Sequence, residues 1–184
     1  MSTPKHFLDL GTRTAIDNAL ARLTEKGTIR RIGRGLYEYP RKSDLVGVLS
    51  PDLNRVATAM AGREGIRIQP SGAFAANVLH LSEQVPLRVV FLTDGPTRKA
   101  QIGNQTIELR NAAPKRMRLA GTISGLVFEA LRHIGQRHVD DAIIRRLRQN
   151  LSPDQKRKVL SDLPHAPTWM HPIIRAATKE VDDG

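Results

Sequence analysis

The spacing of apolar residues predicts a helix and a hairpin near the start of the chain. Apolar residues recur at helical spacing within residues 13–26, on one face made of Ile16, Ala19, Leu20 and Leu23. Thr12 is expected to cap the start of this helix, and Gly27 to follow its end. Two β-prone runs come next in TIRRIGRGLYEYP, and Gly33-Arg34-Gly35 between them predicts a hairpin with a basic tip.

The remaining pattern predicts strands and helices in alternation, followed by helices alone. A helix is predicted over residues 50–65, strands in IRIQP and LRVVFLT, and a short helix in SGAFAANVLHLS that Ser71 would cap. RKAQIGNQTIEL predicts a hairpin that turns at Gly103-Asn104. Helices are expected in GTISGLVFEALRHIG, VDDAIIRRLRQN, SPDQKRKVLSDL and HPIIRAATKE, the third with a capping box of Ser152 and Gln155. The predicted fold class is α+β.

A domain boundary is predicted at YPRKSD, where Pro40 ends a strand-like run and a basic pair follows. Residues 1–42 have the order of a winged helix-turn-helix, which is a helix followed by a basic hairpin. Residues 43–184 are expected to form a mixed α/β domain whose C-terminal part is helical. This second segment holds most of the periodic apolar residues, so we expect it to form a core of its own.

The N-terminal segment has room for only part of a winged helix. Eleven residues precede Thr12, and PKHFLDL among them is expected to form a short positioning helix. Phe7, Leu8 and Leu10 would pack on the helix that follows. We therefore expect a winged helix-turn-helix that lacks its first helix, or that completes its core with the second domain.

Composition narrows the class of protein. The chain has 184 residues, of which 40% are hydrophobic and 26% charged, so it can bury a core. It has no cysteine, which excludes disulfides, thiolate zinc sites and a cysteine nucleophile. Apolar runs such as RVVFL are far shorter than the roughly 20 residues of a membrane span, and the first residues lack the apolar core of a signal peptide. These features predict a cytoplasmic protein with no membrane partner.

The charge points to a polyanionic partner. The net charge is +11 and the isoelectric point is about 10.8. Residues 1–42 carry nine Lys or Arg against four Asp or Glu, the densest positive charge in the chain. A helix fits the major groove of DNA, and arginines on a hairpin tip can reach phosphates or the minor groove. The predicted DNA-binding residues are Arg13, Thr14, Asn18, Arg22, Arg30, Arg31 and Arg34.

A second set of cations lies in RKAQI and APKRMR. Arg98, Lys99, Lys115, Arg116 and Arg118 are candidates for contact with a partner protein or a nucleic acid, although a solvated basic face is the simpler interpretation. Trp169 is interpreted as a core anchor, because only 4% of the residues are aromatic and single-strand binders commonly stack bases on several aromatic rings.

The sequence contains few features that are typical of an enzyme active site or a metal site. GxxxxGK[ST], GxGxxG, HExxH and GxSxG are all absent. His133, His138, Asp140 and Asp141 lie close in sequence, but the histidines flank a predicted helix break and the acids suit a helix start. No base is identified for Ser71. We therefore expect neither an enzyme nor a cofactor or metal.

Long stretches of the chain resemble the AbiEi-like antitoxins of type IV toxin-antitoxin systems. The resemblance covers about residues 7–174, and its most specific pieces are GTRTAIDNALARL, GRGLY, PSGAFAANVLHLSEQVP and APTWM. It implies an N-terminal winged helix that represses the antitoxin's own promoter. It also implies a C-terminal part that counters a nucleotidyltransferase-type toxin without a stable complex between the two proteins.

These observations leave three hypotheses open. The first is a DNA-binding antitoxin and autorepressor, which would sit as two copies on inverted repeats. The second is a ligand-responsive winged-helix transcription regulator. The third is a small RNA-binding protein whose basic surface follows phosphates.

Overall fold

The computed structural model describes residues 1–45, 47–62 and 65–179. The N-terminal part consists of a 3-10 turn at Pro4–Phe7, helix α1 (Arg13–Glu25), strands β1 (Arg30–Gly33) and β2 (Leu36–Glu38), and a two-residue strand pair, β3 (Lys42–Ser43) and β4 (Gly47–Val48). The middle part consists of α2 (Leu53–Ala61), β5 (Ile68–Ser71), α3 (Gly72–Val78), β6 (Arg88–Thr93), β7 (Arg98–Ile102) and β8 (Gln105–Asn111). The C-terminal part consists of α4 (Pro114–Met117), α5 (Ile123–Ile134), α6 (Asp141–Asn150), α7 (Pro153–Ser161) and α8 (His171–Thr178).

The predicted fold class, α+β, is confirmed, and so are the main local signals. Thr12 accepts a hydrogen bond from the Ala15 amide, and Gly27 follows the end of α1 with a φ of 68°. The capping box of Ser152 and Gln155 is formed at α7. The helix predicted over residues 50–65 ends at Ala61, and Arg63 and Glu64 lie outside the described residues, as does Glu180 of the predicted last helix.

The apolar face of α1 is only partly covered. Ile16 and Leu20 are buried as predicted, but Ala19 and Leu23 are exposed. Leu8 and Leu10 are also exposed, so the prediction that they pack on α1 is wrong. The reason is that α1 packs chiefly against the single 3-10 turn at Pro4–Phe7, and one turn is too small to cover a helical face.

The hairpin of β1 and β2 rests on the sheet. The two strands pair antiparallel, with Gly33 opposite Leu36. Leu36 is buried in one apolar cluster with Ile102 of β7 and residues of α2. A Cβ atom on Gly33 would stand 3.6 Å from the Ile102 side chain, which shows how closely the hairpin approaches β7. Residues 1–42 and the residues after them therefore share part of one core.

Strands β5, β6, β8 and β7, in that order, form the central sheet. The β6–β8 pair is parallel, whereas β5 pairs antiparallel with β6 and β7 with β8. Successive side chains along a strand point to opposite faces. On one face Val89, Phe91, Ile107 and Leu109 pack against α2 and the hairpin. The opposite face carries the row Ser71, Val90, Glu108 and Lys99, which are paired across the four strands.

The helices after the sheet pack into a second apolar cluster. It is built from α3, α5, α6, α7 and α8 around buried side chains such as Leu131, Leu147, Met170 and Ile174. Trp169 packs at the edge of this cluster, as predicted. Helix α5 also contacts β5, so it joins the helical cluster to the sheet and covers one end of the polar row.

Candidate nucleic-acid interface

Helix α1 presents a polar face to solvent. Thr14, Asn18 and Arg22 are four residues apart, so they lie on the same face, and all three are exposed. Arg13 pairs with Asp17 at 2.9 Å, and the Arg22 Nε donates to the Asn18 backbone carbonyl at 3.4 Å. The side-chain amide of Asn18 has no protein partner within the described part of the chain, so both its donor and its acceptor are open.

The hairpin carries two exposed arginines, Arg31 in β1 and Arg34 at the tip. Arg34 stands in the turn between β1 and β2, followed by Gly35 with a φ of 68° that a side chain would strain. The Arg31 Nε donates to the Gly33 carbonyl at 3.3 Å. For Arg34 the described residues offer no partner, so its guanidinium is available to an anion.

Arg30 differs from these residues, because its side chain is bound to other parts of the protein. Its Nε and Nη2 atoms donate to Glu38 Oε2 at 2.9 and 2.6 Å, and Nη2 also donates to the Leu49 carbonyl at 2.6 Å. Glu38 is buried, so its charge requires this partner. Arg30 therefore holds the hairpin together and ties it to the following segment, with its Nε and Nη2 atoms bound to protein acceptors.

A second group of cations lies on the polar face of the sheet. Glu108 is 4% exposed and accepts hydrogen bonds from Arg88 Nε at 2.9 Å and Arg110 Nε at 3.1 Å, and Lys99 Nζ stands 4.0 Å away. The hydrogen bond from Arg88 lowers the pKa of Glu108 despite its burial, and Arg110 adds to this effect. Three cations surround one carboxylate, so the surface stays positive.

Arg98 lies on the opposite face of the sheet from Lys99, so the predicted set is divided. Its Nη1 donates to the Met60 carbonyl at 2.5 Å, at the end of α2. The two residues are adjacent on one strand and must point to opposite faces. Arg98 therefore stabilises the contact between α2 and the sheet, and it lies on a different surface from Lys99.

The other predicted cations gather between α4 and α5. Lys115, Arg116 and Arg118 line an open cleft together with Arg132 of α5. Arg116 donates from Nε and Nη2 to the two oxygens of Glu129, at 2.9 and 2.6 Å. This hydrogen-bonded pair raises the pKa of Arg116 above its ordinary value. The cations predicted at APKRMR therefore line one open depression on the surface.

The two buried acids of this region were missed at the level of sequence. Glu108 and Glu129 each interrupt an apolar run, TIEL and LVFEAL, at a position where an acid has no reason to be unless it has a partner. Ser71 was also misassigned. It makes no side-chain cap on α3, because its hydroxyl donates to Glu129 Oε2 at 2.7 Å instead. The available signal for Glu108 and Glu129 was an acidic residue inside an otherwise apolar run of sequence.

Metal ligation has no visible basis in the parts of the chain described. Within residues 1–45, 47–62 and 65–179, no three histidine or acidic side chains gather closely enough to hold an ion. Asp140 caps α6 by accepting from the Ile143 amide at 2.9 Å, the role expected for an acid at a helix start. His138 Nδ1 lies 3.1 Å from the Ile134 carbonyl. None of the described helices has the length and apolarity needed to cross a membrane.

The fold and these surfaces define a small, basic α+β protein with exposed cations on α1, on the hairpin, on one sheet face and in the α4–α5 cleft. The chain belongs to the DUF6088 family, a family of unknown function, whose family model matches residues 2–159. The match runs from before α1 into α7, so it includes all of these surfaces. Comparison with curated proteins found no match, and comparison with solved structures found none either.

Proposed function

We propose that this protein binds double-stranded DNA through α1 and the β1–β2 hairpin, and that it represses the promoter of its own operon. One observation carries the proposal: Thr14, Asn18 and Arg22 share an exposed helical face directly before a hairpin whose tip presents Arg34. An exposed helix of this kind fits the major groove, and the hairpin would lie beside it on the backbone.

The proposed contacts are of two kinds: hydrogen bonds to base edges and contacts with backbone phosphates. Asn18 has both amide positions open and can pair bidentately with an adenine edge. Arg31 and Arg34 supply exposed charge that suits phosphates, and Arg13 and Arg22 add charge along α1. Since one such module reads a short half-site, two copies on inverted repeats are the expected arrangement.

Direct binding to the operon's own promoter tests this proposal. Fluorescence anisotropy with a labelled promoter duplex should show saturable binding, tighter than to a shuffled duplex of the same composition. With about four to six phosphate contacts, log affinity should fall with log salt at a slope of about −4 to −5. A slope near zero, or equal affinity for the two duplexes, contradicts the proposal.

The resemblance to AbiEi-like antitoxins supplies the biological role that we propose. In this role the protein counters a nucleotidyltransferase-like toxin encoded beside it, without forming a stable complex with the toxin. Full-length protein with Asn18→Ala and Arg34→Ala should lose promoter repression yet still rescue cells from the toxin. Loss of rescue in this variant, at equal protein level, would show that neutralisation requires the DNA-binding surface.

RNA binding is the second candidate function, because of the cations on the sheet. Arg88, Lys99 and Arg110 form an exposed basic face around Glu108, separate from α1 and the hairpin. Such a face can follow the phosphates of a structured RNA. Direct comparison of affinities decides between the two functions: a labelled structured RNA should bind more tightly than the labelled promoter duplex only if RNA is the preferred ligand.

A further inference from the structure

The cleft between α4 and α5 concentrates positive charge in one concavity. It is an open depression lined by Lys115, Arg116, Arg118 and Arg132. Glu129 is the only carboxylate among its lining residues. Four formal positive charges therefore face one negative charge, an imbalance that favours an anionic ligand.

The carboxylate of Glu129 orients the cleft and does not repel an anion from it. It is 4% exposed, and its oxygens accept from the Ser71 hydroxyl at 2.7 Å and from Arg116 at 2.9 and 2.6 Å, with Arg132 Nε at 3.6 Å. These bonds fix the guanidinium plane of Arg116 while leaving its Nη1 donors unused. A guanidinium held in place this way binds an anion with little further loss of conformational entropy.

The remaining cations are also available. Lys115 is exposed and pairs with no acid in the described residues, and Arg118 Nη1 lies 3.4 Å from Nδ1 of His165 at the rim. Asp162, three residues before His165, is already occupied: it accepts from the Ser124 hydroxyl at 2.6 Å and from Lys158 Nζ at 3.1 Å. Within the described residues, neither Lys115 nor Arg118 forms an ion pair with an acid.

Part of the lining of the cleft is apolar. Leu119 and Phe128 contribute to it, together with Gly125 of α5. A Cβ atom on Gly125 would stand 2.3 Å from the Leu119 carbonyl oxygen, so only glycine lets α5 approach this segment so closely. The lining of the cleft thus combines cations, which suit a phosphate, with apolar side chains, which suit a carbon skeleton.

We infer that this cleft binds a phosphate monoester, either on a free nucleotide or at the end of a nucleic-acid strand. A monoester is doubly charged and has three terminal oxygens, so it can engage Lys115, Arg116 and Arg118 together. A backbone phosphodiester carries one charge and offers fewer oxygens to the same donors. This inference does not rest on DNA binding by α1 and the hairpin.

Titration calorimetry on the full-length protein tests the inference with four probes: inorganic phosphate, adenosine monophosphate, and a short single-stranded oligonucleotide with or without a 5′-phosphate. A phosphorylated probe should bind with a dissociation constant below about 1 mM, and the oligonucleotide with a 5′-hydroxyl should bind at least about tenfold more weakly than its phosphorylated form. Tighter binding of the mononucleotide assigns a free nucleotide as the ligand, and tighter binding of the phosphorylated strand assigns a strand end.

Two double variants locate the binding. Lys115→Ala with Arg118→Ala should weaken binding of the phosphorylated probe at least about tenfold, the loss expected for charged hydrogen bonds. Arg145→Ala with Lys179→Ala removes the same charge from exposed positions outside the cleft and should change nothing. Lys115→Gln alone gives a milder variant, and thermal melting checks that each one folds. The inference is overturned if no phosphorylated probe binds, if the 5′-hydroxyl strand binds equally well, or if both double variants bind like the unaltered protein.

Discussion

The hydroxyl of Ser71 donates a 2.7 Å hydrogen bond to the buried carboxylate of Glu129, 58 residues later in the chain. Ser71 ends β5 and Glu129 lies in the middle of α5, so this bond joins the sheet to the helical cluster. The same carboxylate holds Arg116 in the α4–α5 cleft. The buried carboxylate of Glu129 therefore links the sheet, α5 and a candidate binding site.

Replacing Ser71 should show how much this hydrogen bond contributes to the free energy of unfolding. Ser71→Ala removes one buried hydrogen bond to a charged acceptor that keeps its bonds to Arg116, so we expect a loss of about 1–2 kcal/mol in the free energy of unfolding. Urea denaturation followed by circular dichroism measures it. Ser50→Ala, the same change at an exposed serine, should alter stability by less than about 0.5 kcal/mol. Equal stability of the two variants would mean that the bond contributes nothing.

Asn18 should determine which bases are read. Asn18→Ala is expected to weaken promoter binding by about 1–3 kcal/mol, and to remove the preference at a single base position, because a bidentate amide discriminates between bases. Binding to duplexes that vary one position at a time measures both effects. Asn54→Ala makes the same change on the exposed surface of α2 and should bind like the unaltered protein. A uniform loss across all sequences would assign Asn18 to the backbone.

Arg34 should contribute to the affinity for DNA without contributing to sequence specificity. Arg34→Ala is expected to weaken binding to the promoter and to unrelated duplexes by the same factor, and to make the salt slope shallower by about 1, because one phosphate contact is lost. Anisotropy over a salt series measures this slope. Arg55→Ala, at an exposed arginine of α2, serves as the matched control. An unchanged slope would show that the hairpin tip lies away from the DNA.

Arg30 should affect stability. Arg30→Ala leaves Glu38 buried without its partner and frees the Leu49 carbonyl, so we expect a loss of about 3 kcal/mol in the free energy of unfolding. Arg31→Ala, at the next residue, should cost less than about 0.5 kcal/mol because its side chain is exposed. Chemical denaturation compares the two. If Arg30→Ala is as stable as Arg31→Ala but binds DNA more weakly than the unaltered protein does, Arg30 contacts DNA.

Acid should destabilise the protein partly through Glu108. The pKa of Glu108 in the folded protein lies below its ordinary value of 4.5, chiefly because Arg88 donates to its carboxylate. A lowered folded pKa stabilises the protein above the unfolded value, and this contribution disappears as pH falls through the folded value. Glu108→Gln should therefore lower stability at pH 7 by about 1–2 kcal/mol, below the usual cost of breaking a buried pair because Arg88 and Arg110 are half exposed.

The pH profile separates this effect from general acid sensitivity. Between pH 7 and pH 3 the stability of Glu108→Gln should fall less steeply than that of the unaltered protein. Some acid sensitivity should remain, since the pKa values of Asp94 and Asp162 are also lowered. Glu83→Gln, at a side chain that is 93% exposed, should follow the unaltered protein. Parallel profiles for all three proteins would contradict the role assigned to Glu108.

Local structure in this protein could be predicted from the sequence because its causes are local. The start of α1 depends on a hydroxyl at Thr12 that reaches an amide three residues away, and its end on a left-handed glycine at Gly27. The hairpins likewise depend on turn residues that lie between the strands they join. Periodicity also assigned α+β, and net charge singled out the basic segments. The winged-helix interpretation and DNA binding stay predictions.

Only the tertiary structure decided which charges are available to a partner. Arg30 and Arg34 look alike in the sequence. Arg30 donates hydrogen bonds to Glu38 and Leu49, whereas Arg34 has no partner in the described residues. Arg98 and Lys99 are adjacent, yet strand alternation sends them to opposite faces of a sheet whose parallel β6–β8 pairing has no local signal. Availability depends on hydrogen-bond partners elsewhere in the fold, 8 and 19 residues away for Arg30 and 38 residues away for Arg98, and the composition of a basic segment does not identify them.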